Sequence, residues 1–403
     1  MHPSRTKENT MAQSLKRGWR APLLVAALVV LTAALAACGS SSDGSGSATA
    51  SGAAPTAAAG GDAVAAARQR LAALYAGTTF RSPPTTGPKP QAGKSIWVID
   101  FGLAAAEGAL VADGTKAAGA ELGWKVTVYD GKFEPARYLD GIRQAIAAKA
   151  DGIFLYAVDC ASVKAALQQA KAARVKVVGA ESQDCGTGAA ALYDGSVSYT
   201  QGGFLDWAAS AGSAEADWAI AKTGGRADVI NLFQNDTAST KAIQAGFMKT
   251  LGGCSTCKVA QTVTFAGTDL GPKLQEKVQQ AILQNPKANV LMVPYDGALT
   301  SGVNAAVMAS GRNDQLDVVA GGGLAPNMDL VRRDRGEDAG YSTSLQWEGW
   351  AGLDAFNRLF AGQQPAASGI GMEVFDKDHN MPAAGPWIPK VDFAAAYRRA
   401  WQG

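Results

Sequence analysis

The stretch Ser95-Ile96-Trp97-Val98-Ile99-Asp100-Phe101-Gly102-Leu103-Ala104-Ala105-Ala106-Glu107-Gly108 decides the fold. It opens with a nearly unbroken apolar run, the pattern of a strand buried on both faces. A turn follows, and then a Gly/Ala-rich helix expected around Glu107–Leu122. The alternation recurs downstream. Further strands are expected at Trp124–Tyr129, Gly152–Ala157, Val175–Ala180, Asp228–Phe233, Lys258–Phe265, Asn289–Val293 and Leu316–Ala320. Between them, one helix carries Tyr138, Leu139, Ile142 and Ile146 on one face. Others are expected at Ser162–Ala173, Gln201–Lys222, Ala238–Leu251, Pro272–Leu283 and Ala298–Ser310. Apolar strands alternating with amphipathic helices predict an α/β chain whose parallel sheets are covered on both faces. There are too many units for one six-stranded sheet, so two doubly wound parallel-sheet lobes are expected.

The chain has 403 residues, 47% hydrophobic and 18% charged, with 47 glycines, enough to bury a sizeable core. Its 37 basic side chains nearly balance its 35 acidic ones, so nothing in the net charge points to nucleic acid. Five of the basic residues and one acid fall in the first 37 positions, leaving 32 against 34 beyond them. There Lys16, Arg17 and Arg20 precede an uncharged apolar run, Ala21–Ala37, that ends in small residues as an export signal does. Leu35-Ala36-Ala37-Cys38 resembles the bacterial lipobox, which implies cleavage before Cys38 and lipidation of its thiol. The alternatives are a plain transmembrane anchor or a chance cysteine after a signal peptide. The expected organisation is a signal peptide over 1–37, a flexible Gly/Ser/Ala tether over 38–62, and a helix (Ala63–Ala76) with a Pro-rich connector over 63–93. The folded unit is expected to begin near Lys94.

Strand ends are where ligands bind in open α/β sheets. The turn after the first strand, Asp100 to Gly108, is not GxGxxG, and no GxxxxGK[ST], HExxH or GxSxG occurs in the chain. Hydride transfer, phosphoryl transfer and hydrolysis thus lose their usual sequence support. The two histidines, His2 and His379, offer little for a His-based centre. No enzyme, cofactor or metal site is expected.

From Lys94 to Phe375 the chain resembles the type I periplasmic solute-binding proteins, the ribose-binding-like branch. The resemblance is carried by Ile96-Trp97-Val98-Ile99, Ala150-Asp151-Gly152-Ile153, Val175-Lys176-Val177-Val178 leading to Glu181, and Pro294-Tyr295-Asp296-Gly297-Ala298. It implies lobes over 94–197 (completed by 347–375) and 198–346 (completed by 376–403), hinged around Asp194–Val197, Gln346 and the region after Phe375. It also implies a small polar, sugar-like ligand held by rings and side-chain acceptors. Phe101 falls after the first strand, Glu181 on an acidic ligand contact, and Ser182 where an arginine often stands. Lys241 falls near another arginine, Phe265 on a stacking aromatic, Tyr295 beside Asp296, and Gln346 at the crossover into a late helix. Gly322, within Gly321-Gly322-Gly323, stands where many sugar binders have an aspartate, and ribose itself is doubtful for that reason. Asp159 and Asp296 have a second reading as helix caps. Phe101 and Phe265 have one as core aromatics, and Lys241 has one as a solvated cation.

Cys160 follows the third strand and Cys185 the fourth, so parallel neighbours could bring them together as a disulfide. Cys254 and Cys257 are expected to close a small structural disulfide; a zinc site there would lack a nearby histidine. The implied protein is a monomeric, exported binder, lipid-anchored to the outer face of the cytoplasmic membrane, that delivers its ligand to an ABC permease. The alternative is a sensor of the same fold coupled to a membrane receptor.

Overall fold

The computed structural model describes residues 56–403, so the expected signal peptide, Cys38 and most of the tether lie outside the described residues. Five parallel strands form the first sheet: β1 (Ser95–Asp100), β2 (Lys125–Asp130), β3 (Gly152–Tyr156), β4 (Lys176–Ala180) and β5 (Gly195–Ser196), in the order β2-β1-β3-β4-β5. Helices α2 (Ala106–Leu122), α3 (Pro135–Ala147) and α4 (Cys160–Ala172) connect them, after a first helix α1 (Thr56–Tyr75). The second sheet holds β6 (Asp228–Gln234), β7 (Lys258–Phe265), β8 (Val290–Met292), β9 (Asp317–Gly322), β10 (Ala339–Ser342) and β11 (Glu373–Asp376). Its order is β11-β10-β9-β8-β6-β7, parallel except for β11 at one edge. Around it lie α5 (Phe204–Lys222), α6 (Ala238–Leu251), α7 (Pro272–Gln284), α8 (Asp296–Ala298), α9 (Asn304–Ser310) and α10 (Ala325–Arg332). The chain ends with α11 (Leu345–Phe360) and α12 (Phe393–Ala400). These are the two doubly wound lobes that the sequence predicts.

Each lobe has a helix pair that meets through glycines. A Cβ on Gly114 of α2 would lie 2.3 Å from the Gln346 carbonyl oxygen of α11, and one on Gly349 would lie 2.4 Å from the Thr115 nitrogen. In the second lobe, a Cβ on Gly212 of α5 or Gly246 of α6 would strike the opposite backbone within 2 Å. Only glycine admits such close backbone approach.

Several boundaries differ from the sequence reading. The helix expected over Ala63–Ala76 begins at Thr56, within the expected tether, because alanine is the best helix former. Nor does the folded unit begin at Lys94. Arg70 pairs with the buried Asp217 of α5, Asn357 donates to the Pro88 carbonyl at 2.7 Å, and Arg358 donates to that of Thr86 at 2.9 Å. The segment expected as one helix over Ala298–Ser310 is broken at Ser301 and Gly302, the latter at φ 119° and against the Gly271 carbonyl. The lobe completions also shift. β11 pairs with β10, so Glu373–Phe375 belongs to the second sheet, while α12 packs on α11, which lies against α2 of the first lobe.

Three chain crossings consequently lie side by side: after β5, between β10 and α11, and between α11 and β11. Ser368 donates from its backbone to Ser198 Oγ at 3.0 Å, Thr200 donates to the Ile370 carbonyl at 2.9 Å, and Thr343 Oγ1 donates to the Gly371 carbonyl at 3.2 Å. The third crossing thus precedes β11, whereas the sequence placed it after Phe375.

Candidate functional site

The carboxyl ends of the two sheets face one cavity. From the first lobe come Phe101 after β1, Glu107 in the first turn of α2, Tyr156 and Ala157 at the end of β3, and Glu181 after β4. The second lobe contributes Trp207 of α5, Gln234 at the end of β6, Thr237 and Thr240 of the next turn, Tyr295, Gly322 and Tyr341. Thr343 and Leu345, on a crossing segment, complete the wall. Ala157 and Glu181 adopt positive φ, 51° and 47°. A non-glycine residue there is strained, and strain of this kind gathers at functional sites.

The aromatic wall is ordered by ring-on-ring packing. Phe101 meets Tyr156 edge-on at 5.7 Å, and Trp207 meets Tyr341 edge-on at 5.9 Å. Tyr295 donates its hydroxyl to Gln234 Oε1 at 2.6 Å, and Gln234 Nε2 donates to Asp236 at 2.7 Å, which fixes the amide's orientation.

Two carboxylates of the first lobe reach helix N-termini of the second. Glu107 Oε1 accepts from the Gly297 N–H at 2.7 Å, and Asp159 Oδ2 accepts from the Ala238 N–H at 2.8 Å. Asp159 Oδ1 meanwhile accepts from the Gln183 N–H at 2.9 Å. Free N–H groups at a helix start suit an anionic partner, so these contacts hold the lobes closed. Burial raises the pKa of both acids, and the accepted N–H bonds pull the other way.

Of the expected site residues, Phe101, Glu181, Tyr295 and Gly322 come together on the cavity wall. Asp159 and Lys241 lie farther out, in a contiguous opening that shares Ala157 and Thr237 with the cavity. Neither Asp159 nor Asp296 caps the helix that follows it with its side chain. The structure places four of the expected residues away from the wall. Ser182 is buried beside Tyr193 behind β4. Phe265 is 1% exposed within the second lobe's apolar core, because it ends β7 on the face that α7 covers. Asp296 sits behind Gly322, accepting from the Leu324 N–H at 2.8 Å. Gln346 is exposed on α11, whose neighbouring positions 345, 347 and 348 turn inward.

Sequence reasoning missed Glu107, Tyr156, Trp207, Gln234 and Tyr341. Tyr156 and Gln234 are the last residues of β3 and β6, and Glu107 lies in the first turn of the helix after β1, so the strand-end signal could have found them. Tyr341 lies on a four-residue strand with no apolar run to mark it, and Trp207 is one of several aromatics on a long helix. Cys160 and Cys185 are joined, with Cα atoms 5.3 Å apart, as are Cys254 and Cys257 at the same spacing. No cluster of three His, Cys, Asp or Glu side chains able to hold a metal occurs among the described residues.

A profile of the family described as a periplasmic binding protein domain matches residues 107–364. No curated protein sequence is a significant match. Among solved structures, a sugar ABC transporter protein from Yersinia enterocolitica superposes with a TM-score of 0.65 at 18% identity, covering 79% of this chain and 99% of that one. The periplasmic binding protein of the arabinose ABC transporter from a Shewanella species, solved with L-arabinofuranose, gives a TM-score of 0.61 at 16% identity over 77% of this chain and 96% of its own. An ABC transporter solute-binding protein from Mycobacterium smegmatis, with bound glycerol, gives 0.62 at 15% identity over 74% of this chain and all of its own. At such identities the likeness is one of fold.

Proposed function

The chain belongs to the periplasmic binding protein domain family, and from that premise we propose that it captures a small polar, sugar-like solute outside the cytoplasm and delivers it to an ABC import permease. As a binding protein of this family it is not an enzyme. The observation that carries the reading is the cavity lined from both lobes and closed over by Glu107 on Gly297 and Asp159 on Ala238. Parting of the lobes, which the three adjacent crossings permit, would widen this cavity for a solute to enter and leave. Phe101, Tyr295 and their ring neighbours offer apolar faces, while Glu107, Glu181 and Gln234 offer acceptors to a ligand that would otherwise bury unpaired donors.

Export and lipidation at Cys38 are part of the same reading and rest on the basic residues, apolar run and Leu35-Ala36-Ala37-Cys38 of the sequence. They place the lobes at the outer face of the cytoplasmic membrane, where a permease would receive the solute. Calorimetry against a panel of sugars and polyols, paired with small-angle scattering, tests the proposal. A binding solute should shrink the radius of gyration. A panel without a binder, or a bound solute that leaves the radius unchanged, would count against it. A Cys38→Ala protein should lose its membrane attachment.

A further inference from the structure

The cavity collects acidic side chains and, among the described residues, lacks basic ones. Glu107 and Glu181 line it, and Glu348 stands beside Glu181 on the buried face of α11. Glu348 is fully buried and shares a side-chain hydrogen bond with Glu181, so that pair holds a proton between its two carboxyl groups, whereas Glu107 Oε2, in a residue only 8% exposed, has no partner. Among the described residues, no lysine or arginine lines the cavity. Lys241 is exposed in the outer opening near Asp159. A buried carboxylate is costly unless a proton or a counter-cation neutralises it; burial raises the pKa of Glu107 and takes Glu181 to about 8, so both acids hold protons readily when no cation is present.

The rest of the wall suits a cation. Phe101, Tyr156, Trp207, Tyr295 and Tyr341 surround the same space. Aromatic faces attract an ammonium group through their quadrupole, most strongly where water is excluded. The acids do not converge as metal ligands do among the described residues, so the positive charge they fit is an organic one.

Resting on the solute-binding reading above, we propose that the solute carries a protonated amino group, as an amino sugar or amino polyol does, with the ammonium held between the rings and the carboxylates of Glu107 and Glu181. Its hydroxyls fall to Gln234 and the Thr237–Thr240 turn. A neutral sugar would supply donors and no counter-charge, and an anionic solute would be repelled.

Matched solutes test this on the wild-type protein. Calorimetry would compare glucosamine and galactosamine with glucose and galactose and with the N-acetylated forms, and an amino-deoxy hexitol with its parent hexitol. At least one amine should bind about tenfold or more tightly than both its hydroxyl parent and its acetylated form, as expected when a charged hydrogen bond is gained. The isosteric changes Glu107→Gln and Glu181→Gln should each shrink that advantage in proteins whose circular dichroism is unchanged. Parents that bind as well as the amines would overturn the inference and leave the solute-binding reading standing. An amine preference intact in both glutamine variants would overturn the assignment to these carboxylates. If no member of the panel binds, charged or neutral, the solute-binding reading itself fails.

Discussion

Glu107 and Gly297 belong to different lobes and meet across the cavity, carboxylate oxygen to backbone N–H, at 2.7 Å. The contact leaves no room for a side chain: a Cβ on Gly297 would lie 2.6 Å from Glu107 Oε2. Gly297→Ala should therefore oppose closure without touching either lobe's core. We expect ligand affinity to fall by one to two decades, about 1–3 kcal/mol, with the thermal midpoint of the unliganded protein little changed. Calorimetry and a melting curve on the same preparation decide it, and an unaltered dissociation constant would show that this contact does not hold the lobes shut.

Stability should peak on the acid side of neutrality. Burial raises Asp100 from 3.8 to about 7, helped by the charges of Asp130 and Glu107 and opposed by the N–H of Gly102. Between those values the folded protein binds the proton and the unfolded chain does not, so stability falls as pH rises through that window, and Glu181 and Asp296, each raised to about 8 by burial, extend the fall. Asp269 acts in the opposite sense. Lys273 and Lys277 hold it below its ordinary 3.8, so its contribution is present above that value and lost as pH falls further. Thermal melts across this range should show a maximum where the two windows meet, near the ordinary carboxylate value of 3.8, and Asp100→Asn should flatten the descending side. A midpoint that climbs steadily from pH 5 to 8 would contradict this balance.

The first lobe was legible because β1, β3 and β4 carry apolar runs, and β7 and α6 fall at the residues the periodicity marks, whereas the two-residue β5 carries no such pattern. The end of the second sheet was not. β10 is Ala-Gly-Tyr-Ser and β11 is Glu-Val-Phe-Asp, each four residues long, and both take their place from neighbours rather than from an apolar pattern. That is also why the third crossing was placed too late. The site divides in the same way. Phe101 and Glu181 could be found because strand ends position them. Gln346 could not be separated from its helix neighbours without the phase of α11, one residue of which turns a side chain by about 100°.

The disulfides should differ in weight. The Cys160–Cys185 bridge spans 25 residues and should stabilise the fold by about 3–4 kcal/mol in the loop-entropy picture. The Cys254–Cys257 bridge spans 3 and should contribute under about 2 kcal/mol. A Cys160→Ser/Cys185→Ser protein should thus melt well below a Cys254→Ser/Cys257→Ser one. Equal losses would mean that loop closure is not the governing effect.

Residues ahead of Lys94 should be required for stability. Ala67 and Leu71 of α1 are buried in the main apolar core, and the connector beyond it is hydrogen-bonded to Asn357 and Arg358. A chain beginning at Lys94 would uncover apolar surface on α5 and strand the buried Asp217 without Arg70. Its melting midpoint should be lower and its solubility poorer than those of a chain beginning at Thr56. Identical melts would show that α1 adds nothing to the body it covers.

Phe101 and Phe265 end strands in different lobes, and the structure gives them different work. Phe265 is enclosed by Leu232, Val263 and Leu274 in the second core, far from solvent. Phe265→Ala should leave a cavity and destabilise by about 3–5 kcal/mol, while the protein that remains folded binds its solute normally. Phe101 is partly exposed at the cavity, touching Phe133 and Tyr156 edge-on. Phe101→Ala removes a ring from the ligand's side and little from the core, so it should weaken binding by roughly tenfold and stability by about 1 kcal/mol. Melting curves and titrations on the two proteins form a crossed test. If Phe265→Ala weakens binding in fully folded protein while Phe101→Ala does not, the solute does not occupy this cavity.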